Sequence, residues 1–150
     1  FRDDIANLKS LAPELVLGLT NNGDEERDLR LALASFSDYP VREAAWLPDC
    51  DDEGLQYTLC LQREREAFIG AVNDLALESG GDGPESQTVA LFRAAEDWSW
   101  RDGALKILAI TTDAPFHLDD DNAGSVQYES LETVIAACVQ KNIKVEVIPN

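Results

Sequence analysis

Acidic residues follow two apolar segments of this chain, at places where carboxylates could bind a divalent cation. Asp38 comes just after the apolar segment that ends near Phe36, and Asp113 comes just after the segment that ends at Thr111. Hard cations such as Ca²⁺ and Mg²⁺ prefer oxygen ligands, and carboxylates are their usual source. If both segments are parallel strands, ligands bind beyond their carboxyl ends, so the two loops would lie on one face. The sequence therefore predicts a cation site there, with further acids from Asp119, Asp120 and Asp121 nearby.

The elements that would position these loops follow from the hydrophobic periodicity. Apolar residues at helical spacing predict four helices, over residues 3–19, 64–77, 85–98 and 128–140. Pro13 predicts a kink or break in the first of them. Continuous or alternating apolar runs predict strands over residues 29–36, 104–111 and 144–148. Residues 37–62 are predicted to be a long functional loop. This order predicts an α/β domain with a mainly parallel sheet, in which the strand at 104–111 is buried on both faces.

Composition and charge narrow the class of protein. A chain of 150 residues with 45% hydrophobic residues suits one globular domain. The formal net charge of −17 argues against a nucleic-acid partner, which requires a basic surface. Apolar runs stay far short of the ~18 residues of a membrane span, so no direct membrane insertion is expected. Composition alone favours a solvated acidic surface over carboxylates held together by cations.

The cysteines leave two interpretations open. Cys50 and Cys60 lie in a polar stretch, and Cys138 lies within a predicted helix. A short disulfide loop with one buried thiol is typical of an extracellular protein, whereas three free thiols are typical of a cytosolic one. With a single histidine in the chain, a Cys/His zinc site is disfavoured.

Four segments together resemble a known family. They are Phe1–Ile5, Ser35–Val41, Gly80–Glu85 and Thr111–His117. In this order and spacing they resemble the von Willebrand factor A domain of the integrin β-subunit type and its bacterial surface-protein relatives. The segments Asp-Gly-Pro-Glu and Thr-Asp-Ala-Pro-Phe-His are the most specific, and the resemblance covers nearly all of residues 1–150. It implies a Rossmann-like, mostly parallel central sheet flanked by helices.

The resemblance also implies a set of metal ligands. Glu85 and Asp113 would bind Mg²⁺ or Mn²⁺ at a metal-ion-dependent adhesion site, with one coordination position left for a carboxylate of a protein partner. Two flanking Ca²⁺ sites would use the acid pair Asp3 and Asp4, and the set Asp38, Asp82, Pro84 and Glu85. Gly80 stands where the family has an asparagine ligand in the second of these sites. Considered without the resemblance, Asp113 could be a cap, and Glu85, Asp3 and Asp4 could compensate helix dipoles.

The family's first strand, with its Asp-x-Ser/Thr-x-Ser ligands, and its last helix have no counterpart in this sequence. The resemblance therefore leads us to expect that the chain is incomplete at both ends and that further ligands lie upstream. It also implies a Cys50–Cys60 disulfide in the loop that helps to choose the ligand. Trp46 and Tyr57 in that loop are candidate ligand contacts, with local packing as the alternative.

The expected function is therefore cation-dependent adhesion at the cell surface or outside the cell, without catalysis. One alternative is an intracellular A-type domain that acts as a protein-interaction subunit, and the redox state of Cys50 and Cys60 would separate the two. A metal-dependent hydrolase is the less favoured alternative. The chain has no convincing nucleophile–base pair and no Gly-x-x-x-x-Gly-Lys phosphate loop.

Overall fold

A computed structural model describes the parts of the chain from which the fold can be built. These parts are residues 2–22, 25–26, 29–36, 57–62, 65–76, 84–112, 114–117 and 129–148. For residues 2–4, 20–22, 25–26 and 57–62 the description is limited to the backbone.

Helices form at all four places where the periodicity predicts them. They are α1 (Arg2–Thr20), α2 (Arg65–Asp74), α3 (Gln87–Asp97) and α4 (Leu131–Gln140). None of the helices in the described ranges is both long and apolar enough to cross a membrane.

The break that was one of the two outcomes predicted for Pro13 does not form, because α1 continues through this residue as one helix. Ala12 and Val16, on either side of the proline, are both buried. The helix also contacts α2. The Lys9 Nζ atom donates hydrogen bonds to the carbonyl of Asn73 (2.7 Å), in the last turn of α2, and to the carbonyl of Leu75 (2.6 Å), just beyond it. Tertiary packing of this kind outweighs the backbone hydrogen bond that a proline removes.

Strands pair in three small sheets within the described residues. Two short pieces, β1 (Asn21–Asn22) and β2 (Glu25–Glu26), pair antiparallel. The strand β3 (Leu31–Ser35) pairs antiparallel with β4 (Tyr57–Gln62). The strand β5 (Lys106–Thr111) pairs parallel with β6 (Ile143–Ile148) in an unbroken register from Lys106 opposite Ile143 to Thr111 opposite Ile148. The chain is thus mixed α/β with a small parallel sheet.

The assignment of residues 37–62 to a loop is wrong at its end, where β4 forms. Tyr57, Leu59 and Leu61 alternate with other residues in the way that a strand requires. The residues before Tyr57 are rich in acids and include prolines, which is typical of a loop. The short strand pattern that follows was therefore assigned to the same loop.

The best-defined core lies between α3, α4 and the parallel pair. It consists of the buried residues Ala94, Ala95, Leu108, Val134, Ala137, Cys138 and Ile143. Trp98 and Trp100 pack against this cluster with their ring centroids 6.0 Å apart, and the indole N–H of Trp100 donates to the carbonyl of Ala94 (2.8 Å).

The expectation that β5 is buried on both faces is wrong for the described part of the chain. Leu108 and Ile110 are buried on one face, whereas Ile107 on the other face is 50% exposed. Both α3 and α4 contribute to the core on the Leu108 side. Helices on both sides of a sheet are needed to bury an apolar strand completely, and the described elements supply them on one.

Candidate functional site

Glu85 is paired through its backbone with the segment that follows β5. Its N–H donates to the carbonyl of Pro115 at 2.9 Å, and its own carbonyl accepts from the N–H of His117 at 3.2 Å. These contacts form a parallel bridge between Glu85 and Phe116. Two segments that the sequence analysis singled out, the one ending at Glu85 and the one containing Asp113, are therefore neighbours in the fold.

Gln87, the first residue of α3, reinforces this junction from inside the protein. Its amide nitrogen Nε2 lies 3.2 Å from Thr112 Oγ1, 2.9 Å from the carbonyl oxygen of Ala114 and 3.1 Å from that of Pro115. Only 5% of the residue is exposed. Since an amide group carries two N–H donors, the three acceptors must share them.

Thr112 adds a local contact to the same turn. Its hydroxyl oxygen accepts the N–H of Ala114 at 3.2 Å. A threonine hydroxyl that binds the backbone two residues on stabilises a tight turn. Position 113 thus lies between two residues, Thr112 and Ala114, that are each held by hydrogen bonds. We name the set Glu85, Gln87, Thr112, Ala114 and Pro115 the junction.

Sequence reasoning missed Gln87 because it looked like an ordinary residue of its helix, and it singled out Thr112 only as part of the Thr-Asp-Ala-Pro-Phe-His segment. A glutamine in the first turn of a predicted helix is commonly solvated, and nothing in the local pattern shows that this one is buried. Only the pairing of two segments that lie about 25 to 28 residues apart brings its amide to the turn.

The start of α3 is unusually rich in shielded polar atoms. Ser86 and Thr88 are 4% and 2% exposed, and their hydroxyl oxygens have no hydrogen-bond partner among the described residues. Ser86 occupies the N-cap position but its side chain makes no capping hydrogen bond. The Oε2 atom of Glu85 is likewise shielded from solvent. These polar atoms are therefore shielded from solvent, whereas Glu85 as a whole is only half-buried.

The remaining predicted site residues are placed only in part. Pro84 directly precedes Glu85 and is partly buried. Asp3 and Asp4 fall in the first turn of α1, and Tyr57 and Cys60 fall in β4, with backbone alone described in each case. The other predicted positions lie outside the described residues: Asp38, Trp46, Cys50, Asp82, Asp113 and Asp119 to Asp121. The Cys50–Cys60 disulfide stays a prediction for this reason.

Cys138 is the free cysteine in the described part of the chain, and it is buried in the core. Burial raises the pKa of its thiol, and the nearby negative charge of Glu96 raises it further. Since the thiolate is the reactive and metal-binding form, both effects make Cys138 a poor nucleophile and a poor ligand.

In the described ranges, no three or more His, Cys, Asp or Glu side chains are grouped so that they could hold a metal ion. Three of the acids predicted to share a site with Glu85 lie outside those ranges, namely Asp38, Asp82 and Asp113. The donors that can be placed, the carboxylate of Glu85 and the carbonyl of Pro84, are hard oxygen atoms. They suit Mg²⁺ or Ca²⁺ in donor chemistry.

No known family model matches this chain, and no curated protein matches its sequence.

Proposed function

We propose that this chain is a divalent-cation-dependent adhesion or ligand-binding domain, in which Glu85 and Asp113 hold the cation that binds an acidic group of a protein partner. One observation supports it above the others. The backbone of Glu85 is hydrogen-bonded to Pro115 and His117, so Glu85 adjoins the loop that carries Asp113. This contact supports the proposal because ligands of such folds bind beyond the carboxyl ends of parallel strands, and Glu85 meets the segment that follows β5.

The residues of the chain would provide rigid oxygen ligands. Two backbone hydrogen bonds fix Glu85 two residues before α3 begins, and the neighbours of position 113 in the sequence, Thr112 and Ala114, are both held by hydrogen bonds. Ligands held on a firm scaffold bind a cation more tightly than ligands on a loose loop, because less freedom is lost on binding. When bound, the cation would supply an open coordination position for a carboxylate of the partner.

The proposed site takes Mg²⁺ or Mn²⁺, and the flanking sites take Ca²⁺. We assign Asp3 and Asp4 to one flanking site, and Asp38, Asp82 and Pro84 with Glu85 to the other. No group in this arrangement is assigned a catalytic step. The proposal includes a location at the cell surface or outside the cell, where a Cys50–Cys60 disulfide would persist.

The direct test is a cation titration of the protein at its natural length, followed by calorimetry. A cation at a hundred times its Kd stabilises the folded state by about 2.7 kcal/mol, which corresponds to a rise in Tm of roughly 5–10 °C for a domain of this size. We expect such a rise with Mg²⁺ or Mn²⁺, and we expect Glu85→Gln to abolish it while keeping the size of the side chain.

Glu132→Gln is the matched control, since Glu132 is an exposed acid in the first turn of α4. This variant should keep the full cation response. The absence of any Tm change up to millimolar Mg²⁺, Mn²⁺ and Ca²⁺, or a full response in Glu85→Gln, would refute the proposal.

The proposed location has a separate test. Mass spectrometry of the natural protein, alkylated without reduction, should show Cys50 and Cys60 joined and Cys138 free. Alkylation of all three cysteines in the native source would contradict the extracellular location and favour an intracellular interaction domain.

A further inference from the structure

The amide of Gln87 contacts the residues on both sides of position 113 in the sequence. The two backbone hydrogen bonds of Glu85 join the residue before the N-cap of α3 to Pro115 and His117. These two hydrogen bonds do not involve residues 112 and 114. The Nε2 atom of Gln87 links those residues to α3, through Thr112 Oγ1 and the carbonyl of Ala114.

We propose that Gln87 is a positioning residue for the cation site: its buried amide holds the turn on both sides of Asp113 and so sets the affinity for the cation. This inference rests on the proposed function, because it assumes that Asp113 is a ligand. Gln87 itself does not touch the cation in this scheme. It acts through Thr112 and Ala114.

The chemistry of the side chain fits such a role. All three atoms near Nε2 are oxygens that can accept, so the position requires a donor with more than one hydrogen. A carboxylate there would face the carbonyl oxygens of Ala114 and Pro115 and repel them. A methionine of similar length would fill the space and donate nothing.

The other end of the amide is shielded from solvent as well. The Oε1 atom of Gln87 is buried and has no hydrogen-bond partner among the described residues. An apolar side chain at this position would leave Thr112 Oγ1 and the carbonyls of Ala114 and Pro115 without the N–H groups of this amide, so the amide is best explained by what its Nε2 atom does to the turn.

Residues that orient a metal ligand affect affinity without binding the metal. Loss of such a partner typically weakens metal binding by about 10–100-fold. We therefore expect Gln87→Met to raise the Kd for Mg²⁺ or Mn²⁺ by roughly that factor, in a protein that still folds. Gln87→Glu should weaken binding as well, even though it adds a negative charge near the site.

The experiment measures cation affinity by isothermal titration calorimetry in the natural protein and in Gln87→Met. Gln140→Met is the matched control, because Gln140 is an exposed residue at the end of α4. Circular dichroism checks that each variant is folded. If Gln87→Met does not fold, Thr112→Val removes one acceptor of the same contact and should weaken cation binding in the same direction.

A second readout, amide hydrogen exchange of Ala114 without any cation, separates this inference from the proposed function. We expect faster exchange in Gln87→Met and unchanged exchange in Gln140→Met. If the natural protein binds no cation, the proposed function fails, and the link from Gln87 to affinity fails with it, even where exchange shows that Gln87 orders the turn. If the natural protein binds cations and Gln87→Met binds them equally well, the positioning role alone is overturned.

Discussion

Thr112 offers the sharpest test of whether the junction is a structural unit. Its hydroxyl oxygen accepts from the N–H of Ala114 and from Nε2 of Gln87, each at 3.2 Å. Thr112→Val keeps the branched shape and removes the acceptor. Each hydrogen bond contributes about 0.5–1.5 kcal/mol net, and both contacts are partly buried. We therefore expect the free energy of unfolding to fall by roughly 1–2 kcal/mol, and Tm to fall by about 2–8 °C.

The assay is urea denaturation with a chelator present, so that cation binding does not contribute. Thr112→Ser keeps the hydroxyl and should lose less than half as much stability as Thr112→Val. In the double variant with Gln87→Met, the loss of stability should be smaller than the sum of the losses in the two single variants, since the residues share one contact. A Thr112→Val protein as stable as the natural one, or a Thr112→Ser protein as unstable as Thr112→Val, would show that the hydroxyl contributes nothing.

Two further predictions concern the α4–β6 region. Asn142 has a positive φ of 55° just after α4 and its N–H donates to the carbonyl of Val139. Asn142→Ala should therefore cost about 1 kcal/mol in urea denaturation, whereas Asn142→Gly should stay within about 0.5 kcal/mol of the natural protein, and equal losses would contradict this reason. For Cys138, the pKa in the folded state lies above its ordinary value, so the unfolded chain loses its proton first and stability falls as the pH rises through and above that ordinary value. Cys138→Ala should show a shallower alkaline loss of Tm, and an identical pH profile would refute the assignment.

The local pattern of the sequence was sufficient to place the four helices and the strands β3, β5 and β6, but not β4. Helices form at all four predicted places. A helix that buries one face has apolar residues about every 3.6 positions, and this spacing can be recognised within a few turns of chain. The strands β5 and β6 and the helix between them were equally readable, and their parallel pairing follows from that order. The sequence also singled out Glu85 and the segment around Asp113.

The tertiary structure determined the environment of residues that pack against distant parts of the sequence. Pro13 does not break α1, and Ile107 is half exposed, because packing partners and not local pattern set the outcome at both positions.

Gln87 is the clearest case. Its type and position predict an unremarkable first-turn residue, yet it is buried with its amide against a turn more than twenty residues away. The physical reason is that periodicity indicates which face of a segment is buried and which is exposed to solvent. A side-chain hydrogen bond between distant residues depends instead on which two segments are in contact. That pairing belongs to the folded chain as a whole.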